Sequence, residues 1–127
     1  IHRLTFDVRA PISSKAGELE RKITLGLKDT GLVQTDISWS EGYYISPDDE
    51  LVKKLLDVYE GRFGKRLEPL AIGGGTYARA VENAVAFGCE RPGVPALIYM
   101  PNESIRLEDV KFNVRVIADA IIALACE

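Results

Sequence analysis

Two stretches of this 127-residue sequence gather residue types able to hold a small anion. The first is Gly73-Gly74-Gly75-Thr76, which follows the short apolar run Leu70-Ala71-Ile72. Glycines let a backbone turn sharply and approach a ligand with no side chain in between. If the next segment is helical, its free N–H groups face whatever sits there and favour negative charge. Thr76 adds a hydroxyl, and Arg79, one turn on, adds a positive charge. The same residues equally suit a plain strand-to-helix turn, and spacing alone does not choose between the two. No Gly-Lys-Ser/Thr follows, so the run is not a nucleotide P-loop. The second stretch centres on Arg9, at the end of an alternating apolar–polar run and close to Pro11. A planar guanidinium matches a carboxylate with two parallel hydrogen bonds. A solvated charge at a strand end is the commoner meaning of such a residue.

Other chemistries find little material. The single histidine is His2, which reads as a surface residue near the chain start. Asp48-Asp49-Glu50 and Glu108-Asp109 fit the acidic first turns of helices better than they fit a metal. Cys89 and Cys126 lie far apart with no CxxC spacing and read as reduced thiols of a cytoplasmic protein. Neither a three-ligand zinc set nor a nucleophile–histidine pair can be assembled. The net charge of −3 comes from 19 acidic and 16 basic residues mixed along the chain. With no basic stripe, a nucleic-acid partner has no electrostatic support. No run of apolar residues is long enough for a membrane helix.

The elements that must position these residues fall into two groups. In the first, Leu4, Phe6 and Val8 alternate with polar residues and predict a strand that Pro11 ends. Ser13 or Ser14 is expected to cap a helix carrying Ala16, Leu19, Ile23 and Leu27 on one face, with Gly31 left-handed beyond its end. Val33, Thr35, Ile37 and Trp39 alternate again. The boundary is placed at 44/45, giving units of 1–44 and 45–127. In the second unit, Ser46-Pro47-Asp48-Asp49 starts a helix with an apolar face of Leu51, Val52, Leu55, Leu56, Tyr59 and Phe63, stopped by Gly64. Leu70–Ile72 and Ala84–Gly88 read as buried strands, with a helix over Tyr77–Asn83 between them. A last helix begins near Leu107, with Val110, Val114, Ile117, Ile121 and Leu124 along one face. Strands alternating with helices predict an α/β protein with a mostly parallel sheet in the second unit.

Three segments together resemble a known family. Gly73-Gly74-Gly75-Thr76-Tyr77-Ala78-Arg79-Ala80, Asn83-Ala84-Val85-Ala86-Phe87-Gly88 and Pro101-Asn102-Glu103-Ser104-Ile105 are similar to the C-terminal third of bacterial zinc dipeptidases. The group is that of Xaa-His dipeptidase and dipeptidase V, within the aminoacylase, carnosinase and carboxypeptidase G clan. Leu4–Arg9 looks like a strand of that family's lid, and Leu51–Phe63 like the helix where the chain re-enters the catalytic domain. The resemblance implies the strand–helix–strand half of a ferredoxin-like lid or dimerisation domain over 1–44. It implies the C-terminal part of a three-layer α/β catalytic domain over 45–127. In such enzymes two zinc ions hydrolyse short peptides. By this resemblance Arg9 holds the substrate's terminal carboxylate, Gly74, Gly75 and Thr76 line the same pocket, and Arg79 closes the motif.

The departures from the family's pattern are equally informative. The family's last zinc ligand is a histidine shortly before an asparagine–glutamate pair, and Tyr99 falls on that position ahead of Asn102-Glu103. A phenol with a pKa of about 10 is a poor zinc ligand at neutral pH. The family's other ligands, its bridging aspartate and its general-base glutamate belong to a preceding half. The sequence opens Ile1-His2-Arg3-Leu4 with no Met and no signal-peptide pattern, as a piece of a longer chain would. Two readings follow: a portion of a zinc dipeptidase that is inactive alone, or a catalytically dead relative serving as a binding or assembly module. Tyr99 favours the second, since truncation would not change that residue. In both, uncovered apolar faces predict a homodimer or docking of a missing N-terminal half.

Overall fold

A computed structural model describes residues 2–88, 91, 93–95 and 97–126; Cys89, one of the two cysteines read above, lies outside them. Three α-helices form: α1 (Ala16–Leu27), α2 (Glu50–Phe63) and α3 (Leu107–Ala125). Among the described residues between α2 and α3, one 3-10 turn forms, Tyr77–Ala80. No strand forms among the described residues. Contacts divide the chain into two units, one of residues 1–44 with 72–75 and one of 45–71 with 76–127.

In the first unit, Ala16, Leu19, Ile23 and Leu27 are the half-covered positions of α1, and none is buried. The expected serine cap is corrected: the N-cap is Lys15, without a side-chain bond. Ser14 instead closes a turn, its N–H donating to Pro11 O at 2.9 Å. Gly31 is left-handed, with a φ of 76°. Thr24 Oγ1 bonds to Gln34 Oε1 at 3.1 Å and Gln34 Nε2 donates to Glu20 Oε1 at 3.4 Å, holding residue 34 beside the helix. The alternating runs around Phe6 and Val33 lie without ladder partners, and their apolar residues are exposed apart from the half-buried Trp39. Alternation specifies which face a strand would bury, while a ladder needs a neighbour to supply its hydrogen bonds.

The second unit is built on an α2–α3 pair. The Ser46–Asp49 start forms as a turn, Asp49 N–H donating to Ser46 O at 3.0 Å. The cap is Asp49, whose side chain accepts from Leu51 N–H at 2.9 Å. Gly64, with a φ of 76°, takes the left-handed stop. Val52, Leu55 and Tyr59 of α2 are buried together with Val116 and Ala120 of α3, and Val116 is fully enclosed. A two-pronged ion pair between Arg62 and Asp119 ties the helices, with Nη2–Oδ1 at 2.8 Å.

The face that α3 buries differs from the expected one. Asp109, Asn113, Val116 and Ala120 face inward, whereas Val110, Val114, Ile117, Ile121 and Leu124 are exposed. The two stripes are one residue apart, or about 100° around the helix. Small Ala120 permits close approach to α2, and Asp109 finds charged partners on that side. The more apolar stripe is left bare. The expected buried strand Leu70–Ile72 is likewise uncovered, with Leu70 85% exposed, and the expected helix Tyr77–Asn83 shortens to one 3-10 turn.

Candidate functional site

In the first unit Arg9 reaches the glycine run. Its Nη1 donates to Gly73 O at 2.8 Å, and its Nη2 pairs with Asp7 Oδ2 at 3.1 Å. A Cβ placed on Gly74 would stand 3.5 Å from Arg9 Nη1. Neither Gly73 nor Gly74 has a positive φ. What these glycines supply here is bare backbone rather than unusual conformation. The guanidinium is thus shared between a backbone carbonyl and a local carboxylate, and both side chains stay largely exposed. Gly75 lies in the same unit.

Thr76 and Arg79 belong to the second unit. Thr76 flanks the 3-10 turn as its N-cap without a side-chain bond, and Arg79 N–H donates to Thr76 O at 3.2 Å. Arg79 is exposed. One 3-10 turn supplies no aligned row of N–H groups, so the helix-terminus part of the anion argument loses its helix.

Tyr99 lies in an irregular loop, left-handed with a φ of 61° and 90% exposed. Its N–H donates to Glu103 Oε2 at 3.2 Å. Asn102 is also left-handed, with a φ of 60°. His2 is exposed. Among the described residues, no three His, Cys, Asp or Glu side chains lie close enough to share a metal ion. An open depression of about 310 Å³, lined by Asp49, Glu50, Leu51, Lys54, Asn83 and Leu124, contains none of the candidate residues.

Asp109 was read from sequence only as an acid in a first turn, yet it is buried in the base of this unit. Its carboxyl is held below the usual carboxylate range, chiefly by the hydrogen bond from Arg106 and further by Arg91. Arg91 also lies over the Phe112 ring, 5.0 Å from its centroid. Tyr59 gathers Phe63, Phe87 and Phe112 around it at 5.8, 6.4 and 5.9 Å between centroids. Burial pushes its hydroxyl up, with Arg91 opposing. The Arg106-x-x-Asp109 spacing was the available signal for the local half of this cluster. Nothing in the sequence pointed to Arg91.

The profile of peptidase family M20/M25/M40 matches residues 7–123. "Putative dipeptidase YtjP" of Bacillus subtilis is 42% identical over 86 residues, covering 68% of this chain and 19% of that protein. The beta-Ala-Xaa dipeptidase of Lactobacillus delbrueckii subsp. lactis is 37% identical over 86 residues, 68% of this chain and 18% of that protein. A Staphylococcus haemolyticus protein, "Putative dipeptidase SH1171", is 28% identical over 125 residues, 98% of this chain and 27% of its own length. The chain thus spans only 18–27% of the length of these curated relatives. No solved structure matches. No described helix is long and apolar enough to cross a membrane.

Proposed function

The chain belongs to peptidase family M20/M25/M40, and from that premise we propose that it is the carboxylate-binding portion of a cytoplasmic two-zinc dipeptidase, inactive by itself. The observation that carries this reading is the Arg9 guanidinium seated on Gly73 O beside Gly74. A short peptide's terminal carboxylate would displace Asp7 from Arg9 Nη2 and take two parallel hydrogen bonds from the guanidinium. Gly74 and Gly75 leave room for the peptide backbone. In the parent enzyme, zinc would supply Lewis-acid polarisation of the scissile carbonyl and an activated water. In this reading its ligands come from the rest of the enzyme. The alternating runs become strands of an α/β protein when that remainder lies beside them, with 1–44 as half of the lid and 45–127 as part of the catalytic domain.

The partner is then the missing N-terminal half or, without it, a second copy in a homodimer. The uncovered stripe Val110–Leu124 on α3 supports a need for such a cover. A second reading, a catalytically dead relative acting as a binding or assembly module, is favoured by Tyr99, whose exposed phenol stands at the family's histidine position.

Both readings are tested by co-expressing the chain with the N-terminal half of a related dipeptidase. Hydrolysis is expected only with Tyr99→His, and the chain alone is expected to hold no stoichiometric zinc. Activity with Tyr99 unchanged, or about one zinc bound per isolated chain, would overturn the assignment of this loop.

A further inference from the structure

Acids in the first turn of a helix ordinarily face water and the helix's own free N–H groups. Asp109 does neither. It is only 4% exposed, and both of its oxygens are taken by arginines from the two ends of one irregular stretch. Oδ1 accepts from Arg91 Nη1 at 3.1 Å and from Arg106 Nη2 at 3.2 Å, while Oδ2 accepts from Arg106 Nε at 2.7 Å. Arg91 opens the stretch 91–106 and Arg106 closes it. The Phe112 ring, one turn along α3 from Asp109, backs the Arg91 guanidinium at 5.0 Å.

Within the stretch the described bonds are short-range. Val94 N–H donates to Arg91 O, Met100 N–H to Leu97 O, Glu103 N–H to Met100 O and Tyr99 N–H to Glu103 Oε2. Such turns set local shape but fix nothing relative to the helices. Among its described residues, the side-chain bonds that tie the loop to α3 lie at its two ends.

We propose that Asp109 is a positioning residue, a carboxylate pin that draws both ends of the 91–106 loop together on α3 and so sets where residue 99 stands. The significance for residue 99 rests on the dipeptidase reading, in which this loop presents the family's last metal ligand. The pin itself does not depend on that reading. Closing a loop at its neck with charge-assisted bonds from a buried carboxylate restricts the conformations open to every residue between. Asp109 touches neither metal nor substrate in this scheme and acts through the loop alone.

The test is hydrogen exchange on the isolated chain, which needs no zinc and no second half. In Asp109→Asn, the hydrogen-bonded amides of Tyr99, Met100 and Glu103 are expected to exchange on the order of tenfold faster, while those of α2 and the later turns of α3 change little. Asp109→Glu should restore part of the protection. Because Asp109 is buried, Arg91→Gln provides a second route from the one-third-exposed side of the pair. It should loosen the same residues, and the double variant should add little beyond Asp109→Asn. Unchanged loop exchange in both single variants would overturn the proposal. So would an equal loss of protection across the loop, α2 and α3, which would make Asp109 an ordinary stabiliser of the helix pair. Failure of the Tyr99→His reconstitution beside a loosened loop would reject the dipeptidase reading and leave the pin standing.

Discussion

Gly88 follows Phe87, whose ring meets Tyr59, and takes a φ of 94°. A Cβ there would stand an ordinary 3.7 Å from Asn113 Oδ1, so conformation rather than space excludes a side chain. Gly88→Ala is expected to destabilise the second unit by about 1–2 kcal/mol, read as a lower denaturant midpoint at unchanged slope. Asp109 and Asp119 make the residue-scale prediction for pH. Arg106 and Arg91 depress the Asp109 carboxyl, and Arg62 depresses that of Asp119. A carboxylate with a lowered folded-state pKa stabilises above its unfolded value and loses that contribution as pH falls through the folded one. Thermal stability should therefore hold from neutral pH down to the ordinary carboxylate range near pH 4 and fall below it. Asp119→Asn should lower the plateau and shallow the acid limb. An unchanged acid limb would contradict the role of that pair.

At the scale of elements, the two stripes of α3 separate packing from exposure. Val116 is fully enclosed, so Val116→Ala should cost about 1–2 kcal/mol through lost contacts and a residual cavity. Ile121 is 60% exposed, so Ile121→Ser should change the stability of a single chain by no more than about 0.5 kcal/mol. The same substitution should reduce self-association in light scattering if the stripe is where copies meet. A full cost for Ile121→Ser in a demonstrably monomeric sample would mean that this face is already packed. The three helices were legible because periodicity acts within one segment, and α2 has a capping aspartate and a terminal glycine besides. Asp49 and Gly64 bound α2 in that way. The buried side of α3 was not legible, because hydropathy ranks faces by apolar content whereas burial follows the neighbour available. That neighbour, α2, takes the side bearing Asp109 and Ala120. Alternation around Phe6 and Val33 was readable as a face, but no local pattern supplies the strand that would pair with it.

For the whole molecule, contacts give two units, and the shared family lies across both, from residue 7 to residue 123. Arg9 and the glycine run were separately readable as residue types able to hold an anion, with a solvated charge and a plain turn also available as meanings. Their meeting was legible only through the family resemblance, because 64 residues of sequence separate Arg9 from Gly73 and no local pattern joins them. The central claim is that this junction receives a peptide carboxylate. It is tested most directly by following the Gly73 and Gly74 amides and the Arg9 Nε–H by NMR while a simple dipeptide is added. The same titration is repeated with the C-terminally amidated dipeptide and with Arg9→Ala. The dipeptide should shift these signals in the native chain, while the amide, or the dipeptide added to Arg9→Ala, should leave them in place. Equal shifts from the amidated peptide, or shifts that survive loss of Arg9, would contradict it.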